Sequence, residues 1–406
     1  MDTEIVGTII IYLVIYVFLG IVVSLANYAD KRQSASLRTT VQVLLMLINV
    51  LFLGSIVLSA SATSDNLSQE EEVGAIVAAG LVVAATSALL LRRVRERLVR
   101  LFPRYQGEPN KAKRTEYVPT ASIQIDPTTA GTPLFPQMLD YYTTGAAPAL
   151  TVHQEIPSPV EAPISGTGGG FNPASIVHMV AMIYCLYFFG SQLTGFILSG
   201  GLEGIAEDFA EGLTIWSLLL TAIPQLAIPI MGVGVGVRRN WREVFERLGL
   251  KKPTLQDVGI AIGVTIALFI FLVAASAIWS LLESQETIEE QQKASEALGD
   301  SINTIWLVLL VSVLAAVGEE IAFRGALQPI FGLWPTAILF AAIHLQYTLT
   351  PASLIILVVA LTFGWLRMRY STTTSIFTHF FYNFFQLAIA LAATEESFVW
   401  FIHHLF

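Results

Sequence analysis

The stretch that decides the fold is INTIWLVLLVSVLAAVGEEIAFR, which runs from Ile302 to Arg324. It is largely apolar as far as Val317 and then places two adjacent glutamates, Glu319 and Glu320, before the arginine. An apolar run of about 20 residues is long enough to cross a bilayer as a helix. Ionisable side chains at membrane depth are costly and usually functional. The stretch therefore predicts a transmembrane helix that carries part of a site.

The composition of the whole chain is that of a membrane protein. The 406 residues are 54% hydrophobic and only 13% charged, with a mean hydropathy of +0.66, whereas soluble domains carry about 25% charged residues. We expect an all-α polytopic membrane protein of about ten transmembrane helices, with a C-terminal helical bundle that holds an intramembrane active site. The expected spans are 5–26, 41–60, 73–91, 176–199, 213–237, 258–282, 302–321, 334–347, 351–366 and 375–393.

The lysines and arginines are sorted by side of the membrane. With these spans and the N-terminus outside, every one of the 22 basic residues except Lys293 falls on the inner side. Basic residues mark cytoplasmic loops, so we expect the N-terminus outside and the site toward the cytoplasm. The acidic start, Met1 to Glu4, is unlike a cleavable signal peptide. A prokaryotic plasma membrane is the expected location, with the endoplasmic reticulum as the alternative.

One long segment interrupts the apolar pattern. Residues 106–175 hold most of the 17 prolines and a glycine-rich run at 166–170, a composition typical of disordered linkers. This predicted cytoplasmic linker divides a three-helix membrane unit, 1–105, from a seven-helix membrane unit, 176–406. The sequence contains no phosphate-binding loop and gives no indication of nucleic-acid binding.

Two later apolar segments carry further polar side chains. His344 lies within the span 334–347, and His379 and Asn383 lie within 375–393. At ~1.5 Å per residue, these groups and the two glutamates lie roughly 6–15 Å from the cytoplasmic edge. Three helices therefore bring polar groups to one depth, as a single site requires.

The spacing of these residues suits hydrolysis. Glu320 and Arg324 are four residues apart and can pair on one helix face, which leaves Glu319 pointing elsewhere. A carboxylate beside a histidine can activate water for attack on a carbonyl group. A histidine and an amide one turn apart, such as His379 and Asn383, can donate hydrogen bonds to the resulting oxyanion. A purely supportive ion pair at a helix end is the alternative for Glu320 and Arg324.

Three motifs in this order resemble those of the CAAX protease and bacteriocin-processing family, also called the abortive-infectivity family. They are Glu-Glu-x-x-x-Arg at 319–324, Phe-x-x-x-His at 340–344 and His-x-x-x-Asn at 379–383. The family consists of intramembrane glutamate endopeptidases and includes the type II CAAX prenyl endopeptidases. The resemblance covers about residues 250–395, with a typical lead-in, ERLGLKKP, at 246–253.

The resemblance implies a role for each residue of the first two motifs. Glu319 would be the general base that activates water, and His344 would help to orient that water. Glu320 would pair with Arg324 and hold the site. Phe340 would pack against the site without taking part in the chemistry.

The third motif and the cofactor follow from the same resemblance. His379 and Asn383 would form the oxyanion hole, and no metal or other cofactor would be needed. Glutamate and histidine are also zinc ligands, so ligand type alone leaves a zinc site as an alternative.

The expected function is therefore hydrolysis of a peptide bond near the cytoplasmic membrane face. The expected partners are membrane lipids and a peptide or protein substrate, with or without a prenyl group, and the sequence does not fix the oligomeric state. A non-catalytic scaffold or bacteriocin-immunity protein is one alternative. A proton-coupled transporter that uses the glutamates as a relay is another.

Overall fold

The computed structural model describes residues 3–62, 68–103, 169–210, 212–282, 301–345 and 352–394, with scattered positions between 284 and 297. Their regular structure is helical. The helices are α1 Thr3–Arg32, α2 Ala35–Ala62, α3 Gln69–Leu90, α4 Arg92–Leu98, α5 Ile176–Leu198, α6 Leu202–Ala210, α7 Ile215–Gly232, α8 Trp241–Leu248, α9 Leu255–Trp279, α10 Ile305–Glu319, α11 Gln328–Phe331, α12 Leu333–Ala342, α13 Ala352–Arg369 and α14 Thr372–Thr394. A π-helical segment, Glu320–Leu327, joins α10 to α11.

Polar residues next to the apolar runs set where several helices begin. Helices α3, α7, α8 and α9 each start at a capping box, in which the capping side chain and the third helical residue bond reciprocally to each other's backbone N–H. The capping residues are Ser68, Thr214, Asn240 and Thr254. Helix α5 has a local cap, Ser175, whose side chain accepts from the His178 N–H at 3.2 Å. It is also capped from a distance, because the Asp30 carboxylate of α1 accepts the N–H groups of Ile176 and Val177 at 3.0 and 3.2 Å.

Eight of the expected spans correspond to segments that are long and apolar enough to cross a membrane. They are α1, α2, α3, α5, α7, α9, α14 and the run Ile305–Phe331, which includes α10, the π-helical segment and α11. The expected span 334–347 is instead the ten-residue helix α12, which is too short to cross. The expected span 351–366 is α13, whose 18 residues are near the lower limit for crossing. The chain is thus an all-α polytopic membrane protein.

The helices pack around two main apolar clusters and turn other apolar side chains outward. One cluster joins α1, α2, α3 and α5 through residues such as Leu45 and Ile183, and another surrounds Phe323 and Phe340. Exposed large apolar residues, such as Ile270, lie along the outer faces of the long helices. In a bilayer those faces meet lipid, where they need no cover.

The first three helices belong to the same compact unit as the later ones. This unit comprises Met1–Gly107 and Ser165–Phe406, and a second unit comprises Glu108–Ile164, which lies outside the described residues. The predicted linker, 106–175, therefore falls largely outside the described part, and its predicted disorder stays a prediction. Its last residues are packed, however, since Phe171 is only 1% exposed.

Helix α8 and the turn after it hold two later segments in place. Gly249 ends α8 in the left-handed conformation, with φ of 70°. The Thr372 hydroxyl, at the start of α14, donates to the Leu248 carbonyl at 2.5 Å, and the Lys251 N–H donates to the Thr373 hydroxyl at 2.9 Å. The lead-in at 246–253 thus fixes where α14 begins.

Candidate active site

The candidate site begins where the regular helix ends. Helix α10 stops at Glu319, and the next eight residues form the π-helical segment. Short π-helical insertions in an α-helix often occur at functional sites. Six of the eight residues are buried: Glu320, Ile321, Phe323, Arg324, Gly325 and Ala326. Neighbouring residues of this segment are thus buried together, although a regular helix would turn each about 100° from the one before it.

Glu320 is the centre of a buried hydrogen-bond network. Its side chain is 0% exposed. Carboxylate Oε1 lies 3.0 Å from Arg324 Nη1 and 2.9 Å from His379 Nδ1. The other oxygen, Oε2, accepts from the Ser375 hydroxyl at 2.6 Å. Both oxygens of Glu320 are therefore engaged, and the carboxylate can hold its neighbours in fixed positions.

Arg324 is buried by aromatic rings as well as by its acid partner. The guanidinium carbon lies 4.3 Å from the centre of the Phe340 ring, within the range of a cation–π interaction. Nη2 donates to the Ala360 carbonyl at 3.1 Å. Nη1 lies within ion-pair distance of Glu320 but makes no well-directed hydrogen bond. Arg324 and Glu320 are therefore held together by charge attraction and not by a pair of parallel hydrogen bonds.

Glu319 has a different environment from its neighbour. The residue is half-buried, and its oxygen Oε2 is buried without a hydrogen-bond partner among the described residues. Arg324 also interacts electrostatically with this carboxylate. A buried oxygen without a partner is costly, so this atom is suited to receive a water molecule or a substrate group.

The two histidines are held through the same ring atom. Nδ1 of His344 lies 2.7 Å from the Phe340 carbonyl oxygen, and Nδ1 of His379 lies 2.9 Å from Glu320. Carbonyl and carboxylate oxygens accept, so we assign the proton to Nδ1 in both histidines. The His379 ring also stacks on Phe363, with centroids 4.8 Å apart. In each neutral ring the lone pair is then on Nε2.

The structure joins some of the predicted site residues directly and others through a ring. Glu320, Arg324 and His379 are in direct contact. The Phe340 ring links them to His344, since its centroid lies 4.7 Å from that histidine and 6.2 Å from His379. Asn383 follows one turn after His379 on α14 and is partly exposed. Within the described part of the chain, no hydrogen bond joins the Asn383 side chain to another residue.

Two contributors were absent from the sequence prediction. Ser375 is fully buried against Glu320, and its signal was available, because it precedes His379 by the same four residues that separate His379 from Asn383. Phe363 stacks on His379. An apolar residue in an apolar helix gives no such signal, so Phe363 could not have been singled out.

The acidic and histidine side chains do not gather as metal ligands would in the part of the chain described. No group of three or more His, Cys, Asp or Glu residues there is arranged to hold a metal ion. The fully engaged Glu320 carboxylate explains this in part, because its oxygens already face an arginine, a histidine and a serine.

Comparison with known families gives a match over the same region. Residues 301–385 match the family model for type II CAAX prenyl endopeptidases, Rce1-like. These residues form an Rce1-like domain. The resemblance inferred from the three motifs is confirmed over this range, and the Rce1-like domain contains all six predicted site residues as well as Ser375 and Phe363. Helices α1 to α9 lie outside it.

One curated relative matches over a short region. YpbD of Bacillus subtilis (strain 168), itself described as an uncharacterized protein, is 39% identical over 70 residues. These residues are 17% of this chain and 36% of the relative, so the chain spans only about a third of that protein's length. No solved structure gives a significant match.

Proposed function

We propose that the chain is an intramembrane endopeptidase that hydrolyses a peptide bond with water activated by Glu319. One observation carries this proposal: Glu320 has three partners, whereas Oε2 of Glu319 has none among the described residues. A general base needs a lone pair that can face water rather than protein. The match to the Rce1-like family supports the same class of reaction.

The reaction would proceed in two steps. Glu319 first takes a proton from water while the water oxygen bonds to the carbonyl carbon of the peptide, and the carbonyl oxygen becomes an oxyanion. The tetrahedral intermediate then breaks its C–N bond, and the Glu319 carboxyl returns the proton to the leaving nitrogen. The carboxylate is thereby regenerated, and the products are a carboxylic acid and an amine.

The proposed role of His344 follows from its tautomer. Its Nδ1–H donates to the Phe340 carbonyl, which leaves an acceptor lone pair on Nε2. That lone pair would accept the second hydrogen of the water and point the water oxygen at the substrate. His344 would therefore orient the nucleophile, while Glu319 takes the proton.

His379 and Asn383 would stabilise the oxyanion together. His379 donates from Nδ1 to Glu320, so its Nε2 carries a hydrogen only in the imidazolium form. An oxyanion contact from His379 would thus involve the imidazolium, with Glu320 as its counter-ion. The Asn383 amide, one turn farther along α14, would supply the second donor.

The proposed substrate is a peptide or protein segment that reaches the site near the cytoplasmic face. CAAX-type processing of a prenylated tail fits the family model, and processing of an unmodified peptide precursor uses the same chemistry. The proposed location is a prokaryotic plasma membrane, with the N-terminus outside and the basic loops inside.

The test is cleavage of quenched peptides by purified protein in lipid. A panel with and without a farnesylated cysteine would be incubated with wild type and with Glu319→Gln, each with and without a chelator. We expect Glu319→Gln to lower kcat by about 10²- to 10⁴-fold, the range for loss of a general base. The matched control is Glu70→Gln, which changes an exposed glutamate at the start of α3 and should leave kcat unchanged.

Each result would decide a separate point. Equal turnover by wild type and Glu319→Gln would overturn the assignment of the base. If a chelator abolished wild-type activity, the mechanism would depend on a metal ion, and the proposal that glutamate alone activates the water would be wrong. Cleavage of only the farnesylated peptides would assign CAAX-type specificity.

A further inference from the structure

Helix α8 has one face in the protein and another face outside it. Val244 and Leu248 are 0% and 1% exposed, whereas Trp241 and Phe245 are 58% and 48% exposed. The two exposed rings lie side by side, with centroids 6.2 Å apart. Because α8 joins two spanning helices, α7 and α9, it lies at the membrane surface. An aromatic pair at that level is typical of residues that anchor a protein at the lipid interface.

The same segment is strongly basic. Between positions 238 and 252 there are six basic residues and two acidic ones. Three of the basic residues are exposed: Arg242 on α8, where it pairs with Glu246, and Lys251 and Lys252 just after the helix ends. The Lys251 ammonium also donates to the Tyr370 carbonyl at 3.0 Å. A segment at the membrane surface that combines exposed aromatic residues with an excess of basic residues binds preferentially to membranes that contain anionic lipid.

We propose that the exposed face of α8 binds anionic phospholipid headgroups and that this binding holds the active site in its working geometry. The part that concerns the site rests on the proposed proteolytic function. The rings would enter the boundary between headgroups and acyl chains, and the basic side chains would pair with lipid phosphates.

Contacts on the inner face of α8 connect it to the π-helical segment. Arg247 donates from Nη1 to the Gly325 carbonyl at 3.0 Å. Gly325 packs so closely that a Cβ atom built on it would lie 3.0 Å from Leu248 Cδ2. Gly325 directly follows Arg324, the partner of Glu320, so a shift of α8 would move the backbone that carries this ion pair.

Contacts on the following turn connect α8 to the start of α14. Thr372 and Thr373 bond to Leu248 and Lys251, as described above, and α14 carries Ser375 and His379. The lipid-facing helix thus touches both segments that supply the buried network. Its depth in the membrane would set their relative position.

The test uses full-length protein in nanodiscs of phosphatidylcholine alone or mixed with phosphatidylglycerol. Binding is measured as fluorescence quenching by brominated forms of each lipid, and the signal of Trp241 is the difference between wild type and Trp241→Phe. We expect brominated phosphatidylglycerol to quench Trp241 about twofold more than the brominated neutral lipid, and kcat/KM to be at least about threefold higher in the mixed discs.

Removing two positive charges from α8 and the residues just after it, or from α4, distinguishes an effect of α8 from a general effect of basic residues at the membrane surface. Arg242→Gln with Lys252→Gln should abolish both effects. Arg92→Gln with Arg97→Gln, on the exposed face of α4, should preserve them, and this control also removes an exposed i,i+4 ion pair, Arg92–Glu96, equivalent to Arg242–Glu246.

The outcomes are distinguishable from failure of the proposed function, because quenching needs no substrate. Equal quenching by both lipids would overturn lipid binding at α8. Selective quenching of Trp241 by phosphatidylglycerol, with the same kcat/KM in both kinds of disc, would show that lipid binding at α8 does not affect the active site. If the α4 and α8 variants lost selective quenching and the increase in kcat/KM equally, both effects would come from diffuse surface charge and not from α8. If self-association of the protein suppressed the quenching of Trp241, the exposed face of α8 would bind a second copy of the chain and not lipid.

Discussion

At the scale of single residues, two adjacent glutamates have opposite surroundings. The i,i+4 spacing of Glu320 and Arg324 was enough to predict that they could pair, and the pair is present at 3.0 Å. The sequence did not predict that Glu320 would also bond Ser375 and His379, because those contacts depend on how α14 packs against the π-helical segment. Spacing within one helix is readable from sequence, whereas distances between helices are set by packing.

Ser375 provides the sharpest test at this scale. Ser375→Ala would remove a donor from a fully buried carboxylate, which should lower the free energy of unfolding by about 1–3 kcal/mol. It should also lower kcat about tenfold, or roughly 1.4 kcal/mol in the activation barrier, with little change in KM, because Glu320 would no longer hold His379 in place. Thermal unfolding and cleavage kinetics measure the two effects.

Ser312→Ala is the matched control for this change. Ser312, on α10, is also 0% exposed, but its hydroxyl donates to the Val308 carbonyl of its own helix, at 2.7 Å. Its loss should alter kcat very little. If Ser375→Ala behaved like Ser312→Ala in both assays, the Ser375 hydroxyl would have no positioning role.

At the scale of elements, hydropathy predicted the long helices better than the short or irregular ones. The eight full-length spans follow from length and apolar character, which are local properties. The π-helical segment has no such signature. Its wide turn is stabilised by contacts that come from elsewhere in the chain, including those of Arg247 and Leu248 to Gly325. The sequence analysis treated these residues as part of a regular α-helix, because the apolar pattern alone does not distinguish an α-helix from a π-helical turn.

Gly249 tests how α8 is docked. A Cβ at this position would lie 2.3 Å from the Arg367 guanidinium carbon, and the backbone has φ of 70°. Gly249→Ala should therefore cost about 1–2 kcal/mol for the left-handed conformation alone, and more for displacing the buried arginine. We expect a lower unfolding temperature in detergent and reduced cleavage.

Gly259→Ala is the comparison for this substitution. Gly259 lies inside α9, where a Cβ would meet no atom within 4 Å, and alanine favours helix over glycine. It should leave the unfolding temperature unchanged or slightly raised. An equal fall for both variants would contradict close packing at Gly249.

At the scale of the whole molecule, the first three helices are joined to the later ones by polar contacts over long sequence distances. Asn27 donates to the Met231 carbonyl at 3.0 Å, and Asp30 caps the start of α5. The sequence analysis divided the chain into two membrane units at the Pro/Gly-rich segment 106–175, and it did not predict these contacts, because each residue has an ordinary local context. Contacts between residues 146 and 204 positions apart leave no pattern in a single sequence.

The two ends of the segment between α4 and α5 are in contact with each other. The Phe171 N–H donates to the Pro103 carbonyl at 3.2 Å, and the Phe171 ring packs on Phe102, with centroids 5.0 Å apart. Replacing 108–164 by a short glycine-serine linker should thus preserve folding and at least about half of kcat/KM, because loop-closure entropy changes slowly with length. Unfolding temperature and cleavage rate are the measurements.

A longer deletion defines the boundary. Removing 104–171 also removes Phe171, which is 1% exposed and packs on Phe331, so this variant should lose stability by an amount typical of a buried aromatic residue, about 3–5 kcal/mol. A well-folded but inactive 108–164 deletion would give the segment a direct role in catalysis.

The pairing of Glu320 with Arg324 also affects how the site responds to an energised membrane. An isolated charge exchanges about 2.3 kcal/mol with a potential of 100 mV when it crosses the bilayer. Opposite charges 3.0 Å apart form a dipole whose length is about a tenth of the hydrocarbon thickness, so the field can act on the pair only weakly. The buried arginine can therefore stay at a fixed depth while the voltage of the cell rises and falls.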